Sequence, residues 1–187
     1  MRSYLELMRR PGAWRLVLSS LPARIAYGMS GLAIFFHVQQ TTGSLATAGY
    51  AVGAYSLLSS LTAAPRGHIV DRYGMTKPIA ILVPAYAGSA VLMGVWADTG
   101  SKIILCAGLL GLSAVPINMT VRPLWKDVAG EELVRTAYAL DSAILNTTGL
   151  LGPVIATWMA LNLSGPIAMY TVGALMFSGG SAMLLSS

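Results

Sequence analysis

Ionisable side chains lie inside long apolar stretches of this 187-residue sequence, where a charge is costly. Arg24 lies roughly 15 Å along the first apolar stretch if that stretch is helical, and Asp141 opens a later one. Asn118 and Arg122 are four residues apart, so a helix presents them on one face. A charge near the bilayer centre costs about 2.5–3.5 kcal/mol on insertion scales, so such groups face a wet cavity or each other. We therefore predict a polar cluster of Arg24, Asn118, Arg122 and Asp141.

Asp141 has two candidate roles in this cluster, as a proton-carrying carboxylate or as a fixed counter-ion. We favour the fixed ion pair, because Asp141 lies near the predicted interface and an arginine stabilises a neighbouring carboxylate. If the cluster faces a cavity, the other walls of that cavity are expected to be largely apolar. Its candidate polar contacts for a substrate are Tyr27, Gln39, Asn118 and Asn146.

The composition indicates that these residues are carried by a membrane protein. Apolar residues make up 55% of the chain and charged residues 10%, against about 25% charged in soluble domains. The net charge is +5, but the basic residues stand at the ends of apolar runs, which argues against a nucleic-acid partner. Cys106 is the one cysteine, so no internal disulfide is expected. No pattern for a cofactor, a nucleotide or a metal is present, and no cleavable signal peptide is evident.

Charge-free runs divide the chain into six predicted spans, because a helix that crosses a bilayer needs about 20 apolar residues. The first and last runs are too long for one helix, and turn-forming residues at 41–44 and 162–166 divide them. The sequence thus predicts an all-α, six-transmembrane-helix bundle as a single domain over residues 1–187. The predicted helices cover about 14–39, 45–65, 78–97, 102–122, 137–161 and 167–185.

The basic residues give the bundle an orientation. Ten of the 12 Lys and Arg residues fall at the N-terminus or in the 66–77 and 122–136 connections, which lie on one side. The positive-inside rule places that side in the cytoplasm. Both termini are therefore expected in the cytoplasm, with the chain as a multi-pass protein of the cell inner (plasma) membrane.

The connection between the second and third helices carries a motif. Gly67, Asp71, Arg72, Gly74 and Lys77 follow the pattern G-x-x-x-D-R-x-G-x-x-basic. This resembles the cytoplasmic loop motif of the major facilitator superfamily, and the charge pattern places the connection on the same side. The resemblance implies one six-helix half of that fold, built from two inverted three-helix repeats. It also implies that these residues dock the other half and help to gate transport. Met75 and Thr76 replace the further basic residues usual in the family.

Two further stretches extend the resemblance over nearly the whole chain. Gly149, Gly152 and Pro153 resemble the glycine-rich motif of helix five in antiporters of the superfamily, although Ala156 and Thr157 replace its last glycines. Pro153 is expected to bend this helix. The residues from Arg122 to Asp141 resemble the connection between helices four and five of bacterial members.

The resemblance implies alternating-access transport of a small molecule, with proton-coupled efflux as the candidate mechanism. The expected partners are the lipid bilayer, a substrate, protons, and a second six-helix half or a second copy of the chain. One alternative is a truncated fragment that does not transport, which the absence of a central linker after Ser187 favours over a half-transporter.

A remote alternative is a rhomboid-like intramembrane serine protease, because Gly28-Met29-Ser30-Gly31 matches G-x-S-G. A nucleophilic serine needs a base within hydrogen-bond reach. His37 is about 10 Å along the same helix, and the motif lies on the first helix rather than the fourth. We therefore predict a protein that is not an enzyme.

Overall fold

The computed structural model describes residues 2–186, and all elements in that range are α-helices. The ends of the predicted domain, residues 1 and 187, lie outside the described residues. The helices are α1 (Arg2–Arg9), α2 (Ala13–Thr42), α3 (Leu45–Leu61), α4 (Ala63–Tyr73), α5 (Thr76–Trp96), α6 (Gly100–Leu112), α7 (Ile117–Asn162) and α8 (Gly165–Ser186). α7 consists of two arms, residues 117–129 and 131–162, which meet at Gly130 with φ 66°.

Helix α2 lies at the centre of the bundle and packs against α3, α7 and α8. Its buried face is built largely from small residues; Ala23, Ala26 and Ala33 are fully buried. Small side chains let helix backbones approach closely, which is how membrane helices gain packing energy without a hydrophobic driving force. The centre of the bundle is thus a close-packed helix that also carries Arg24.

The connections between helices follow local turn chemistry. Gly43 ends α2 in the left-handed region, with φ 69°, and the Ser44 side chain accepts a hydrogen bond from the Thr47 amide at the start of α3. The second turn, at residues 163–164, connects α7 to α8. Both turns lie within the segments from which the sequence predicts them.

The prediction of one continuous helix over 102–122 is wrong. α6 ends at Leu112, and residues 113–116 are non-helical before α7 begins at Ile117. Pro116 has no N–H to donate to the Leu112 carbonyl, and proline disfavours the helical conformation at Val115 before it. The sequence contained this signal, but the charge-free run from 103 to 121 concealed it.

Two predicted connections are also largely helical. α4 continues through the motif as far as Tyr73, and the first arm of α7 continues through the 122–136 connection to Ala129. The charged side chains in these segments indicate where a helix reaches polar surroundings. They do not indicate where the helix ends. A short amphipathic helix, α1, also precedes the predicted first span, and its Leu7 is fully buried.

Three stretches of the described residues are long and apolar enough to cross a membrane: Thr76–Trp96, Gly100–Asn162 and Gly165–Leu185. The second includes both α6 and α7. α3 is short, with 17 residues, and α2 carries Arg24, His37 and two glutamines, which lower its mean hydropathy. Of the buried polar residues of α2, Arg24 forms part of the site.

The connection between α5 and α6 has its own ion pair. Lys102 Nζ lies 2.8 Å from Asp98 Oδ1, four residues earlier, and 5.0 Å from the centre of the Trp96 ring. The hydrogen bond from Lys102 lowers the pKa of the Asp98 carboxyl below its ordinary value. Both groups are solvent-accessible, so this pair contributes little to stability.

Candidate functional site

The site is centred on a buried ion pair between α2 and the second arm of α7. Arg24 Nη2 donates a hydrogen bond to Asp141 Oδ1 at 2.6 Å, and both side chains are at most 3% exposed. Arg24 Nη1 also lies 3.4 Å from the Asp141 carbonyl oxygen. Two desolvated charges persist only when each satisfies the other. The pair therefore connects α2 with α7 through two residues that are 117 positions apart in the sequence.

The first arm of α7 supplies further contacts to Asp141. Trp125 Nε1 donates to Asp141 Oδ1 at 3.0 Å, and Arg122 Nε lies 4.0 Å from Oδ2 with its side chain 61% exposed. Trp125 is almost completely buried, and its approach to Asp141 requires the chain to turn at Gly130. The sequence interpretation missed Trp125, although a buried indole N–H needs an acceptor and Asp141 was the nearby candidate.

A cavity of about 410 Å³ lies against this ion pair. Its walls come from α2, α3, α4, the break after α6 and both arms of α7. The polar residues on these walls are Arg24, Tyr27, Ser59, Ser60, Arg66, Asn118 and Thr148. The volume is within the range of pockets that hold small molecules.

Arg66 is the second arginine on the cavity wall, and the sequence interpretation did not single it out as a site residue. Its side chain donates to the carbonyl oxygens of Ser59 at 2.6 Å and Thr62 at 3.1 Å on its own side. It also donates to Gly111 at 3.3 Å and to Ala114 across the bundle. The break at 113–116 makes the Gly111 and Ala114 carbonyls accessible to Arg66, although Gly111 also accepts a hydrogen bond from the Ala114 amide at 3.3 Å. Arg66 therefore ties α3 and α4 to the end of α6.

A tyrosine cluster lies behind the cavity. Tyr27 stacks on Tyr86 with ring centres 6.0 Å apart. The Tyr86 hydroxyl is 2.6 Å from Ser30 Oγ and 3.3 Å from the Tyr55 hydroxyl. The cluster connects α2, α3 and α5 through side chains.

These contacts do not form a protease dyad. Ser30 Oγ donates to the Ala26 carbonyl at 2.7 Å, and His37 Nε2 is hydrogen-bonded to the Met93 carbonyl at 3.0 Å. His37 Nδ1 has no partner in the described part of the chain. Ser30 is a helix-packing serine, and His37 joins α2 to α5.

The predicted polar residues separate into three groups. Arg24, Arg122 and Asp141 lie together, with Arg122 at the exposed edge. Asn118 and Tyr27 line the cavity, and Asn118 is exposed. Asn146 and Gln39 do not line it. Leu145, Thr148 and Gly149 of α7 line the cavity. Asn146 is exposed and faces a different direction.

The motif residues lie at the end of α4 and the start of α5. Gly67 lies close to α7, since a Cβ atom there would be 3.3 Å from Met119 Sδ. Asp71 and Arg72 are exposed, and Arg72 lies 5.5 Å from the centre of the Tyr73 ring. Gly74 ends α4 with φ 73°, a backbone conformation that favours glycine. Lys77 is exposed in the first turn of α5.

The glycines of the second motif differ in their surroundings. Gly152 lies directly on the backbone of α2: a Cβ atom there would be 2.6 Å from Gly28 Cα and 2.7 Å from the Met29 nitrogen. A Cβ atom at Gly149 would contact nothing within 4 Å, and Gly149 lines the cavity. The helix continues through Pro153 to Asn162. Only Gly152 is required for close helix contact.

Comparison with known proteins gives the family. The family model for the Major Facilitator Superfamily matches residues 16–186. The chain belongs to the Major Facilitator Superfamily. It is similar to the multidrug efflux protein YfmO of Bacillus subtilis (strain 168), with 27% identity over 143 residues. The match covers 73% of this chain and 34% of that relative, so the chain spans about a third of its length. No solved structure matches the chain.

Membership of the superfamily confirms the family prediction made from the Gly67–Lys77 motif, and with it an all-helical membrane fold. The motif residues Gly74 and Gly152 lie where backbone geometry or a close helix contact favours glycine. Among residues 2–186, no three His, Cys, Asp or Glu side chains lie close enough together to hold a metal ion.

Proposed function

We propose that this superfamily chain transports a small molecule by alternating access, as one half of a transporter, and does not catalyse a reaction. The observation that carries the proposal is the cavity of about 410 Å³ against the buried Arg24–Asp141 pair. An intramembrane ionisable pair beside a cavity is the usual mark of a substrate or ion pathway. The similar relative is named as an efflux protein, which supports export as the direction.

The proposed topology has six spans with both termini in the cytoplasm of a bacterial cell and the chain in its plasma membrane. α2, α3 with α4, α5, α6 with the first arm of α7, the second arm of α7, and α8 are the six crossing elements. The positive-inside distribution of Lys and Arg supports this orientation. In it, the cavity lies in the cytoplasmic half of the bundle, with α4 and the motif at its edge.

The proposed partner is a second six-helix half, either a second copy of this chain or a separate polypeptide. The cavity walls come from α2, α3, α4, α7 and the break after α6, and alternating access moves one repeat or bundle against another. Asn118, Arg122 and Asn146 are exposed and are candidate contacts with that partner. A fragment that inserts without transporting is the competing function, and it predicts no flux in any oligomeric state.

We propose that Asp141 is a fixed counter-ion for Arg24 and that it does not carry protons. The pair is buried, and Asp141 also accepts a hydrogen bond from Trp125. Protonation of Asp141 would therefore leave the donors of Arg24 and Trp125 poorly satisfied. In proteoliposomes, transport by Asp141→Asn should respond to an imposed pH gradient as the wild-type protein does, measured per folded particle. Loss of the pH-gradient response with retained exchange of labelled substrate would instead make Asp141 the proton carrier and support an antiport mechanism.

A gating role for the motif predicts a different set of effects. Asp71→Asn and Gly74→Ala should each reduce transport at least about tenfold while the chain still inserts, because neither residue packs in the bundle core. Gly74→Ala forces a β-carbon into a backbone conformation with φ 73° and ψ 174°, which costs about 1–3 kcal/mol. The matched control is Lys102→Gln, which removes an exposed charge at the other end of the bundle. Normal flux in both motif variants, at wild-type levels in the membrane, would contradict the gating role.

A further inference from the structure

The walls of the cavity carry two arginines, and only one of them, Arg24, pairs with a carboxylate among residues 2–186. Arg24 and Arg66 both line it, and no Asp or Glu is among its lining residues. Asp141 stands behind Arg24, where it is 2% exposed and already accepts hydrogen bonds from Arg24 and Trp125. A cationic ligand in the cavity would thus meet no available carboxylate.

Arg66 supplies the uncompensated charge. Its side chain is 8% exposed, and its hydrogen-bond partners are carbonyl oxygens of Ser59, Thr62, Gly111 and Ala114. Carbonyl dipoles solvate a guanidinium but leave its net charge in place. In a site of low dielectric, such a charge acts strongly on a ligand within a few ångströms.

Two further features add to the positive field. α7 begins at Ile117 with no side-chain cap, and Ile117, Asn118 and Met119 line the cavity. The Ile117 and Met119 amides donate to the carbonyls of Val115 and Pro116, so the contribution of this helix start is the partial positive charge of its aligned peptide dipoles. Arg122, which is 61% exposed and 4.0 Å from Asp141 Oδ2, extends the positive charge along the outer edge.

The remaining walls are uncharged and include an apolar and aromatic part. Val115, Met119 and Leu145 line the cavity together with the Tyr27 ring, which is held in place by stacking on Tyr86. Such walls suit a flat or apolar ligand body, while the net charge of Arg66 suits an anionic end group.

We infer that the cavity binds amphipathic organic anions, such as aromatic carboxylates or sulfonates, in preference to organic cations. This inference rests on the proposed transport function and names its substrate class. The anionic group lies toward Arg66 and the start of α7, and the apolar body lies toward Tyr27.

The test uses three probes that share one fluorophore. Dansylglycine is an anion, dansylamide is neutral and dansylcadaverine is a cation. Each is titrated against the full chain in nanodiscs of phosphatidylcholine, whose surface has no net charge, and binding is followed by energy transfer from tryptophan. Dansylglycine should bind at least about tenfold more tightly than dansylcadaverine, with dansylamide between them, and added salt should reduce the difference.

Variants then assign the preference to the cavity. Arg66→Gln should remove most of the tenfold preference, whereas Arg66→Lys, which keeps the charge and loses the fork of donors, should keep most of it. Lys102→Gln removes the same charge far from the cavity and should change nothing. Circular dichroism identifies any variant that is not folded. If Arg66→Gln does not fold, Arg66→Lys is the variant that tests the role of the charge.

The outcomes separate this inference from the proposed function. Equal or tighter binding of dansylcadaverine overturns the anion preference and leaves a ligand site in place. An anion preference that survives Arg66→Gln in folded protein overturns the role of the cavity charge. If none of the three probes binds, the anion preference is contradicted, while the transport function is tested separately by flux in proteoliposomes.

Discussion

Asp141→Asn and Arg24→Met are each expected to lower the free energy of unfolding of the helical bundle by about 3–5 kcal/mol, because each leaves the opposite charge buried and unpaired. The pair is at most 3% exposed, so water cannot replace the missing partner. Asparagine keeps an acceptor for Trp125 Nε1, which confines the change to the charge. The measurement is denaturant unfolding in mild detergent, followed by tryptophan fluorescence.

A double-mutant cycle separates pairing from packing. The Arg24→Met, Asp141→Asn double variant removes both charges and should be more stable than the sum of the single losses predicts by at least about 2 kcal/mol. Arg122→Gln is the control, because its side chain is 61% exposed at 4.0 Å from the carboxylate and should cost less than about 1 kcal/mol. Additive losses would mean that Arg24 and Asp141 do not stabilise each other.

Gly152→Ala is expected to destabilise the bundle by about 1–3 kcal/mol, because overpacking a close contact forces the neighbours apart. A Cβ atom at residue 152 would lie 2.6 Å from Gly28 Cα, and backbone atoms cannot rotate away as a side chain does. α2 and α7 would have to separate, which would also stretch the nearby Arg24–Asp141 hydrogen bond. The same unfolding measurement in mild detergent detects the loss.

The matched control for Gly152 lies one turn earlier on the same helix. Gly149→Ala adds a Cβ atom with no neighbour within 4 Å, so it should leave stability unchanged or raise it by up to about 1 kcal/mol. If both variants lose stability equally, the effect belongs to glycine in this helix in general and not to the contact with Gly28.

The sequence predicted the charged parts of the site because charges inside apolar runs are rare and demand partners. Arg24 and Asp141 stood out for that reason, and the structure brings them together. Trp125 was missed because it falls in the predicted 122–136 connection, where no buried side chain was expected. Its role depends on the turn at Gly130, and one glycine in a polar segment does not predict φ 66° there.

Arg66 was missed for a related reason. Basic residues near the end of a span usually belong to the interface, and the positive-inside rule accounted for Arg66 without a structural role. Its burial depends on the break at 113–116, which exposes carbonyls for it to bind. Because a continuous helix was predicted over that segment, the acceptors for Arg66 could not be foreseen.

The six-helix count rested on charge spacing, which locates where the chain meets polar surroundings but not where helices end. The glycines of the motifs were better guides, because Gly74 and Gly152 are fixed by backbone geometry that other residues cannot adopt or fit. Gly152 contacts α2 and Gly149 does not. This difference depends on where α2 packs, which a local sequence pattern does not predict.

The most direct test of the half-transporter account is to measure particle mass and transport in the same preparation. The purified chain, with a monomer mass of 19.6 kDa, is separated by size in mild detergent, and each species is reconstituted into proteoliposomes and assayed for dansylglycine and dansylcadaverine flux. We expect flux in particles that contain twelve helices, as two copies or with a second half, and none in the six-helix monomer. Transport by the monomer would contradict the need for a second half, and a stable twelve-helix particle without flux of either probe would contradict transport.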